Sequence, residues 1–263
     1  MTNNFNKWAS LRTHASSSVQ GFLKELFLHP IFAFRLIKRR AEFFVSRKFK
    51  SPFITPDQFL IESASELVSY WSFFIEGESR TNEWEKALAK EPRPLVLDVG
   101  ANAGLFSHLI WRLRPDVELV VFEPLPKMAE KIANWGERNG AKLTLYNKAA
   151  SDHCGTATFY ASAENDPTAS LKPEGKKQIA LEVPVVTLDS LVPEQPIFLI
   201  KIDVEGCECE VLAGAKSVLD RARFLIIEAH TEEALAKIKD ALGPQWNSRQ
   251  VGASDYLFAR IKN

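Results

Sequence analysis

The chain has 263 residues, zero formal net charge at neutral pH and 46% hydrophobic residues, a length that suits one large α/β domain plus an extension. The balanced charge by itself predicts no polyanion partner. Three cysteines, Cys154, Cys207 and Cys209, are too few and too odd in number for a disulfide framework and suit a reducing compartment such as the cytoplasm.

The average conceals a split. Residues 1–53 hold ten Lys or Arg against Glu25 and Glu42, a net +8 that the remainder offsets with −8. The first twenty residues are polar and Ser-rich. From Phe22 to Phe49 aromatic and aliphatic residues mix with Arg and Lys, and Phe27, Ile31, Phe34, Ile37 and Lys38 fall at helical spacing, with Pro30 starting or kinking a helix. Two readings stay open for this stretch. It is a helix packed on its own domain or on a partner chain, or residues 22–50 form a peripheral contact with the anionic inner face of a membrane. Nucleic acid is not expected, because no reader motif accompanies the charge. The longest charge-free run here, Leu26 to Phe34, has nine residues where about 20 apolar residues are needed to span a bilayer. The start does not read as a secretory signal, since polar Asn and Ser residues precede any apolar run.

Pro52 and Pro56 bracket a break, and a helical pattern then runs from Asp57 through Phe59, Leu60, Leu67, Val68, Trp71 and Phe74 to about Ile75. Asn82 is placed to cap a short helix over Glu83 to Lys90. The expected organisation is a basic segment over 1–53, a helical cap or linker over 54–91, and one domain over 92–263.

That domain opens with a buried strand, Leu95 to Val99, a glycine loop and an apolar helical pattern at Leu105, Leu109 and Leu113. Strand, tight loop and helix together open a nucleotide-binding sheet. Gly100 allows the sharp turn, and Gly104 is expected to clear space for a ligand at the first helical turn. A dinucleotide fingerprint starting at Gly100 would need glycine where Asn102 and Leu105 stand, which argues against NAD. The order Asp98-Val99-Gly100-Ala101-Asn102-Ala103-Gly104 resembles instead the first motif of S-adenosylmethionine (SAM) methyltransferases, whose ligand offers an amino acid and a ribose. A second buried strand, Val117 to Phe122, ends in Glu123-Pro124, where a carboxylate can accept from the two hydroxyls of a ribose.

A helix follows from about Lys127 to Asn139, closed by Gly140, and then a third strand from Lys142 to Ala149. In a doubly wound sheet its end, Ala149-Ala150-Ser151-Asp152, is where an adenine edge meets the backbone. Gly155–Ala161 and Ile179–Thr187 read as paired strands around a polar loop, Ser162 to Gln178, of the length typical of a lid or binding loop. Phe198 to Ile202 is a central strand ending at Asp203, and Gly206 turns the chain into a helix expected to run through Ala222. Cys207, Val211, Ala215 and Val218 share an apolar face of that helix. The cysteines therefore read as packing residues, since a lone C-x-C is a poor zinc site. A strand from Phe224 to Ala229 ends near Glu228 and His230, and a helix (Glu232–Leu242) and a hairpin (about Asn247–Lys262) close the sheet.

Four separated pieces resemble the FkbM family of SAM-dependent methyltransferases. They are the Asp98–Gly104 loop, Phe122-Glu123-Pro124, Thr187-Leu188-Asp189-Ser190-Leu191, and Lys201-Ile202-Asp203-Val204-Glu205-Gly206-Cys207-Glu208. The resemblance covers about Leu95 to His230 and leaves residues 1–90 outside. It implies a Rossmann-like, seven-stranded class I methyltransferase sheet, here with an α-helical N-terminal extension. It also implies methylation of a hydroxyl on a sugar, glycolipid or secondary metabolite. On matching positions it implies that Asp98, Gly100, Ala101, Asn102 and Gly104 surround the methionine part of SAM. Glu123 with Pro124 takes the ribose, Ala149 and Ala150 flank the adenine, and Asp203 and Glu205 stand at the reacting end.

Methyl transfer to an alcohol needs a base within hydrogen-bond reach. Asp203, Glu205 and His230, all at carboxyl ends of strands, are the candidates. The spacing alone assigns no metal. Two rival readings are a catalytically inactive SAM-fold binding protein tethered by its basic segment, and a nicotinamide-dependent oxidoreductase tolerating Asn102.

Overall fold

A computed structural model describes residues 33, 34, 36–38, 41, 52–56, 58–161 and 179–261. The basic segment thus lies outside the described residues except for 33, 34, 36–38 and 41, which are helical, and Pro52 and Phe53. The polar loop expected over Ser162–Gln178 also lies outside them. The chain divides into two compact units, residues 1–80 and 81–263.

In the first unit, β1 (Phe53–Ile54) pairs antiparallel with β2 (Leu60–Ile61). Helix α1 (Ala64–Trp71) follows, with Ser63 capping it by accepting from the Glu66 amide. The helix expected from Asp57 therefore starts seven residues late. Gln58 is left-handed (φ 63°) and the Phe59 amide donates to Thr55 Oγ1 at 3.0 Å, which closes a turn and sends Phe59 and Leu60 into the small hairpin. After α1 the chain widens into one π-helical stretch, Ser72–Glu76, ended by left-handed Gly77.

The second unit begins with α2 (Asn82–Leu88), whose cap is Thr81 rather than Asn82. Its centre is the strand set β3 (Leu95–Val99), β4 (Glu118–Phe122), β5 (Lys142–Tyr146), β9 (Ile197–Ile202), β10 (Ala222–Glu228), β11 (Trp246–Gln250) and β12 (Asp255–Arg260). Across the sheet they run β11-β12-β10-β9-β3-β4-β5. The five strands from β10 to β5 are parallel, and β12 and β11 turn antiparallel. This is the seven-stranded mixed sheet expected from the sequence. The innermost strands β3 and β9 are buried along their whole length, as a parallel sheet covered on both faces requires. Helices α3 (Leu105–Leu113) and α4 (Pro126–Asn139) connect the first three strands. The chain then crosses back to lay β9 on the other side of β3. A doubly wound sheet opens a crevice at such a reversal, beyond the carboxyl ends of its strands.

Three connections differ from the sequence reading. The third strand stops at Tyr146, because Asn147 turns its amide onto the carbonyls of Glu123 and Pro124 at 2.8 and 2.9 Å. The chain then changes sheets. β6 (Ala149–Ala150) pairs in parallel with β8 (Ile179–Val186), which pairs antiparallel with β7 (Gly155–Ala161). After the short helix α5 (Leu188–Leu191) and β9, the single helix expected through Ala222 is two, α6 (Glu208–Ala213) and α7 (Lys216–Asp220). Gly214 breaks it, sitting so close to Ser151 that a Cβ there would lie 2.0 Å from the Ser151 carbonyl oxygen. Helix α8 (Glu232–Leu242), capped by Thr231, leads to the closing hairpin of β11 and β12. Among the described residues no helix is long and apolar enough to cross a membrane.

Candidate active site

The loop between β3 and α3 carries three left-handed residues, Gly100 (φ 80°), Asn102 (φ 50°) and Gly104 (φ 81°). Asparagine tolerates that region better than most side chains, so the middle position keeps its turn without glycine. At Gly100 the glycine loop meets the end of the Lys201–Glu208 piece. A Cβ on it would stand 1.9 Å from the backbone oxygen of Asp203. Gly104 does something other than clear space for a ligand. Its missing Cβ makes room for Ile132 Cγ1, at 2.8 Å from that position, and so seats α3 on α4.

A cavity opens beyond these strand ends. Gly100 and Asn102 form one wall, and Phe122, Glu123, Pro124 and Leu125 another. Lys148, Ala149, Ala150 and Phe159 close the side toward the small sheet. Asp203, Val204, Glu205 and Cys207 close the opposite side. Eight of the residues singled out from the sequence thus share one cavity: Gly100, Asn102, Glu123, Pro124, Ala149, Ala150, Asp203 and Glu205.

Four others do not line it. Ala101 and Gly104 are turned into the packing of the loop. Asp98 is wholly buried, with Oδ2 accepting from Ser107 Oγ at 2.6 Å and from the Ser107 amide at 3.1 Å. It therefore pins the start of α3. Burial raises its carboxyl above the usual range, against the pull of Lys201 and Ser107. His230 stands outside the cavity, its side chain 55% exposed, with Nε2 3.3 Å from Glu228 Oε2 and 3.5 Å from Glu205 Oε2.

Glu123 is held on both oxygens. Oε2 accepts from the Asn102 amide at 2.7 Å and Oε1 from the Leu125 amide at 2.8 Å. Each carboxylate oxygen keeps a further acceptor position. Burial nevertheless dominates and pushes its pKa up to about 8, despite those two amides and helped by the charges of Asp98 and Asp203.

At the other wall, Lys201 Nζ donates to Asp203 Oδ2 at 2.6 Å. Lys201 is itself buried. Burial alone lowers its pKa, but Asp203, Asp98 and Asp255 outweigh that and hold it above its ordinary value. Asp203 lies below its ordinary range: burial raises it, and Lys201 and a hydrogen bond from Glu228 overcome that rise. Glu205 is raised, by burial first and then by Asp203. It occupies a left-handed conformation (φ 52°), which turns its side chain back over the strand ends. Among the described residues Glu205, Glu228 and His230 also bring one oxygen or nitrogen each within 4.8 Å of one another.

Two motif residues prove to be scaffold. Asp189 accepts from the amides of Ser217 and Val218 at 3.1 and 2.8 Å and caps α7. Glu208 accepts from the Gly206 amide at 3.0 Å and braces the turn after β9. Sequence reasoning missed Lys148 and Phe159 as cavity residues, and nothing in their local pattern marks them. It considered Glu228 only as a partner of Asp203 and Glu205 in holding a divalent ion, which the spacing alone does not support.

The FkbM methyltransferase domain matches residues 98–248. The 2-O-methyltransferase NoeI of Sinorhizobium fredii is 30% identical over 167 residues, 56% of this chain and 68% of that protein. The 31-O-demethyl-FK506 methyltransferase FkbM of Streptomyces tacrolimicus is 28% identical over 201 residues, 64% of this chain and 77% of that one. The hexuronic acid methyltransferase AglP of Haloferax volcanii is 26% identical over 147 residues, 53% and 57%. The matched segment holds the glycine loop, Glu123, Asp203 and the strands that bring them to one crevice, and the chain belongs to the FkbM methyltransferase family.

Proposed function

We propose that this methyltransferase uses SAM and transfers its methyl group to a hydroxyl oxygen of a sugar, glycolipid or secondary metabolite. The observation that carries the reading is the convergence of Gly100, Asn102, Glu123, Asp203 and Glu205 on one cavity at the sheet's reversal point. SAM would supply an electrophilic methyl on a cationic sulfur. A cavity with three carboxyl groups, two of them raised by burial first and then by the charge of the third, Asp203, favours a cation. Glu123, fixed by two backbone amides, offers its remaining acceptor positions to ribose hydroxyls. Gly100 and Asn102 line the cavity beside it, and Ala149 and Ala150 form an apolar wall that suits a base.

The chain's own part in the chemistry is positioning and proton removal. Asp203, steadied by Lys201, faces the cavity and is the carboxylate placed to receive the acceptor's proton. Glu205 stands beside it, and His230 stands one shell farther out. The names of the three relatives include a 2-O-methyltransferase, a methyltransferase of O-demethyl-FK506 and a hexuronic acid methyltransferase, which supports an oxygen acceptor.

Calorimetric titration with SAM and with NADH tests the cofactor. Heat with SAM and none with NADH is expected, and the reverse would overturn the reading. An acceptor screen followed by S-adenosylhomocysteine release then tests transfer. SAM binding without turnover on any hydroxylated acceptor would point to the inactive binding protein instead. For the basic segment we propose a peripheral membrane contact through residues 22–50. Co-sedimentation with anionic vesicles, full chain against a chain lacking residues 1–53, tests it; equal pelleting of the two would sink it.

A further inference from the structure

Glu205, Glu228 and His230 come from different places along the chain and turn their side chains to one point. Glu228 is the last residue of β10, His230 follows it by two positions, and Glu205 lies in the turn after β9. His230 Nε2 is 3.3 Å from Glu228 Oε2 and 3.5 Å from Glu205 Oε2, and the three donor atoms lie within 4.8 Å of one another. Donors about 2.1 Å from a common octahedral centre stand roughly 3 to 4.2 Å apart, so small side-chain adjustments seat one ion between them. The set is more than a patch of acids, because it joins an imidazole nitrogen to two carboxylate oxygens. It is also braced from behind. Ser254 Oγ donates to Glu228 Oε1 at 2.7 Å and leaves Oε2 on the His230 side, the part that an outer partner plays for a metal ligand. Charge points the same way. His230 can offset only one of the two carboxylates, and only when protonated, whereas a divalent cation offsets both and takes the imidazole as a neutral ligand.

We propose that Glu205, Glu228 and His230 form a divalent-cation site at the edge of the candidate active site, suited to manganese. Mixed oxygen and nitrogen donors favour manganese over calcium, which takes more ligands, all of them oxygen. Access is open, since the three side chains are 29%, 17% and 55% exposed. Glu205 lines the cavity together with Asp203, so the ion borders the place where the acceptor reacts. Its role rests on the methyl-transfer reading above. Three protein donors leave coordination positions open, and an acceptor hydroxyl bound at one of them loses its proton more readily. That proton goes to Asp203, the acceptor oxygen bonds to the methyl carbon, and the electron pair of the broken C–S bond stays on sulfur. Glu205 and His230 are then ligands, and Asp203 is the base.

Manganese titration of the full chain after EDTA treatment, read by electron paramagnetic resonance, tests the site. Saturation at one ion per chain is expected, with an imidazole-nitrogen coupling on the bound ion. Ser254→Ala should weaken binding about tenfold, as the loss of an outer partner does, and Glu228→Gln and His230→Gln by more. No binding to the wild-type chain, equal binding in the Gln variants, or bound manganese without the nitrogen coupling each overturns the proposal. Circular dichroism checks that each variant is folded, and His230→Gln, at an exposed position, carries the test if Glu228→Gln is not. Release of S-adenosylhomocysteine that EDTA leaves unchanged overturns the ion's part in transfer. SAM calorimetry keeps the two readings apart. A chain that binds manganese but no SAM refutes the methyl-transfer reading and leaves the site standing, and one that binds SAM but no manganese refutes the site alone.

Discussion

Gly100 and Asp203 lie 103 positions apart, yet a single methyl group on the first would stand 1.9 Å from the carbonyl oxygen of the second. The contact joins the glycine loop to the end of β9 beside the cavity that both residues line. Gly100→Ala meets rigid backbone and a left-handed φ together. It is expected to cost roughly 2–4 kcal/mol of stability and to abolish SAM binding. Gly140→Ala is the control, because Gly140 is also left-handed (φ 62°) but has nothing within 4 Å of the added carbon. It should cost only about 1 kcal/mol. Urea unfolding of both variants checks the difference, and equal losses would mean that strain and not collision governs Gly100.

With its pKa near 8 in the empty protein, Glu123 is mostly protonated at pH 7, whereas two ribose hydroxyls donate best to an ionised carboxylate. SAM binding is therefore expected to release a proton and to tighten as pH rises from 6 to 8.5. Titrations in two buffers of different ionisation heat measure that proton. In Glu123→Gln the release and the pH dependence should vanish and affinity should fall about tenfold or more, since hydrogen bonds to a charged group contribute roughly 1.5–3 kcal/mol each.

The same groups set how ligand-free stability varies with pH. Folding raises Glu123 from 4.5 to about 8 and Glu228 from 4.5 to about 9, through burial first in both cases. A raised carboxyl means the folded state holds more protons than the unfolded one. The stabilisation is complete below the ordinary value and is lost as pH climbs through the folded value. The melting temperature should accordingly fall between pH 6 and 9. Glu123→Gln should flatten that slope, and a slope unchanged in the variant would contradict the assignment.

Lys201 is the cation that three carboxylates face, Asp203, Asp98 and Asp255. Lys201→Met keeps the bulk but leaves Asp203 without its 2.6 Å partner. Breaking a buried pair from one side costs about 3–5 kcal/mol, so denaturant midpoints should drop sharply. Lys201→Met combined with Asp203→Asn should recover part of that loss, and failure to recover would show that Asp203 is not the group left exposed.

Much of the fold was legible because a parallel sheet writes itself as apolar runs: Leu95–Val99 and Phe198–Ile202 have no other plausible place than the interior. Gly140 likewise marks a helix end through local chemistry alone. What could not be read depends on distant partners. Nothing near Gly214 says that Ser151 will press against it, and nothing near Asn147 says that its amide will reach back to Glu123. Asp98 shows the same limit within the site. Its place in the motif is plain, but that its carboxylate turns to Ser107 rather than to the cavity is decided by packing. Glu228 shows it too, since its hydrogen-bond donor Ser254 comes from the closing hairpin.

The sheet change at Ala149–Ala150 has a wider consequence. One flank of the cavity is built on the small sheet, through Ala149, Ala150 and Phe159, and the opposite flank on the tips of β9 and the turn after it. Behind the cavity the two flanks are tied together, because Gly214, in the break after α6, packs against Ser151 just past β6. A substitution in the segment after β9 is therefore felt at Ala149 and Ala150 as well, and the pocket is reshaped from both sides at once or not at all.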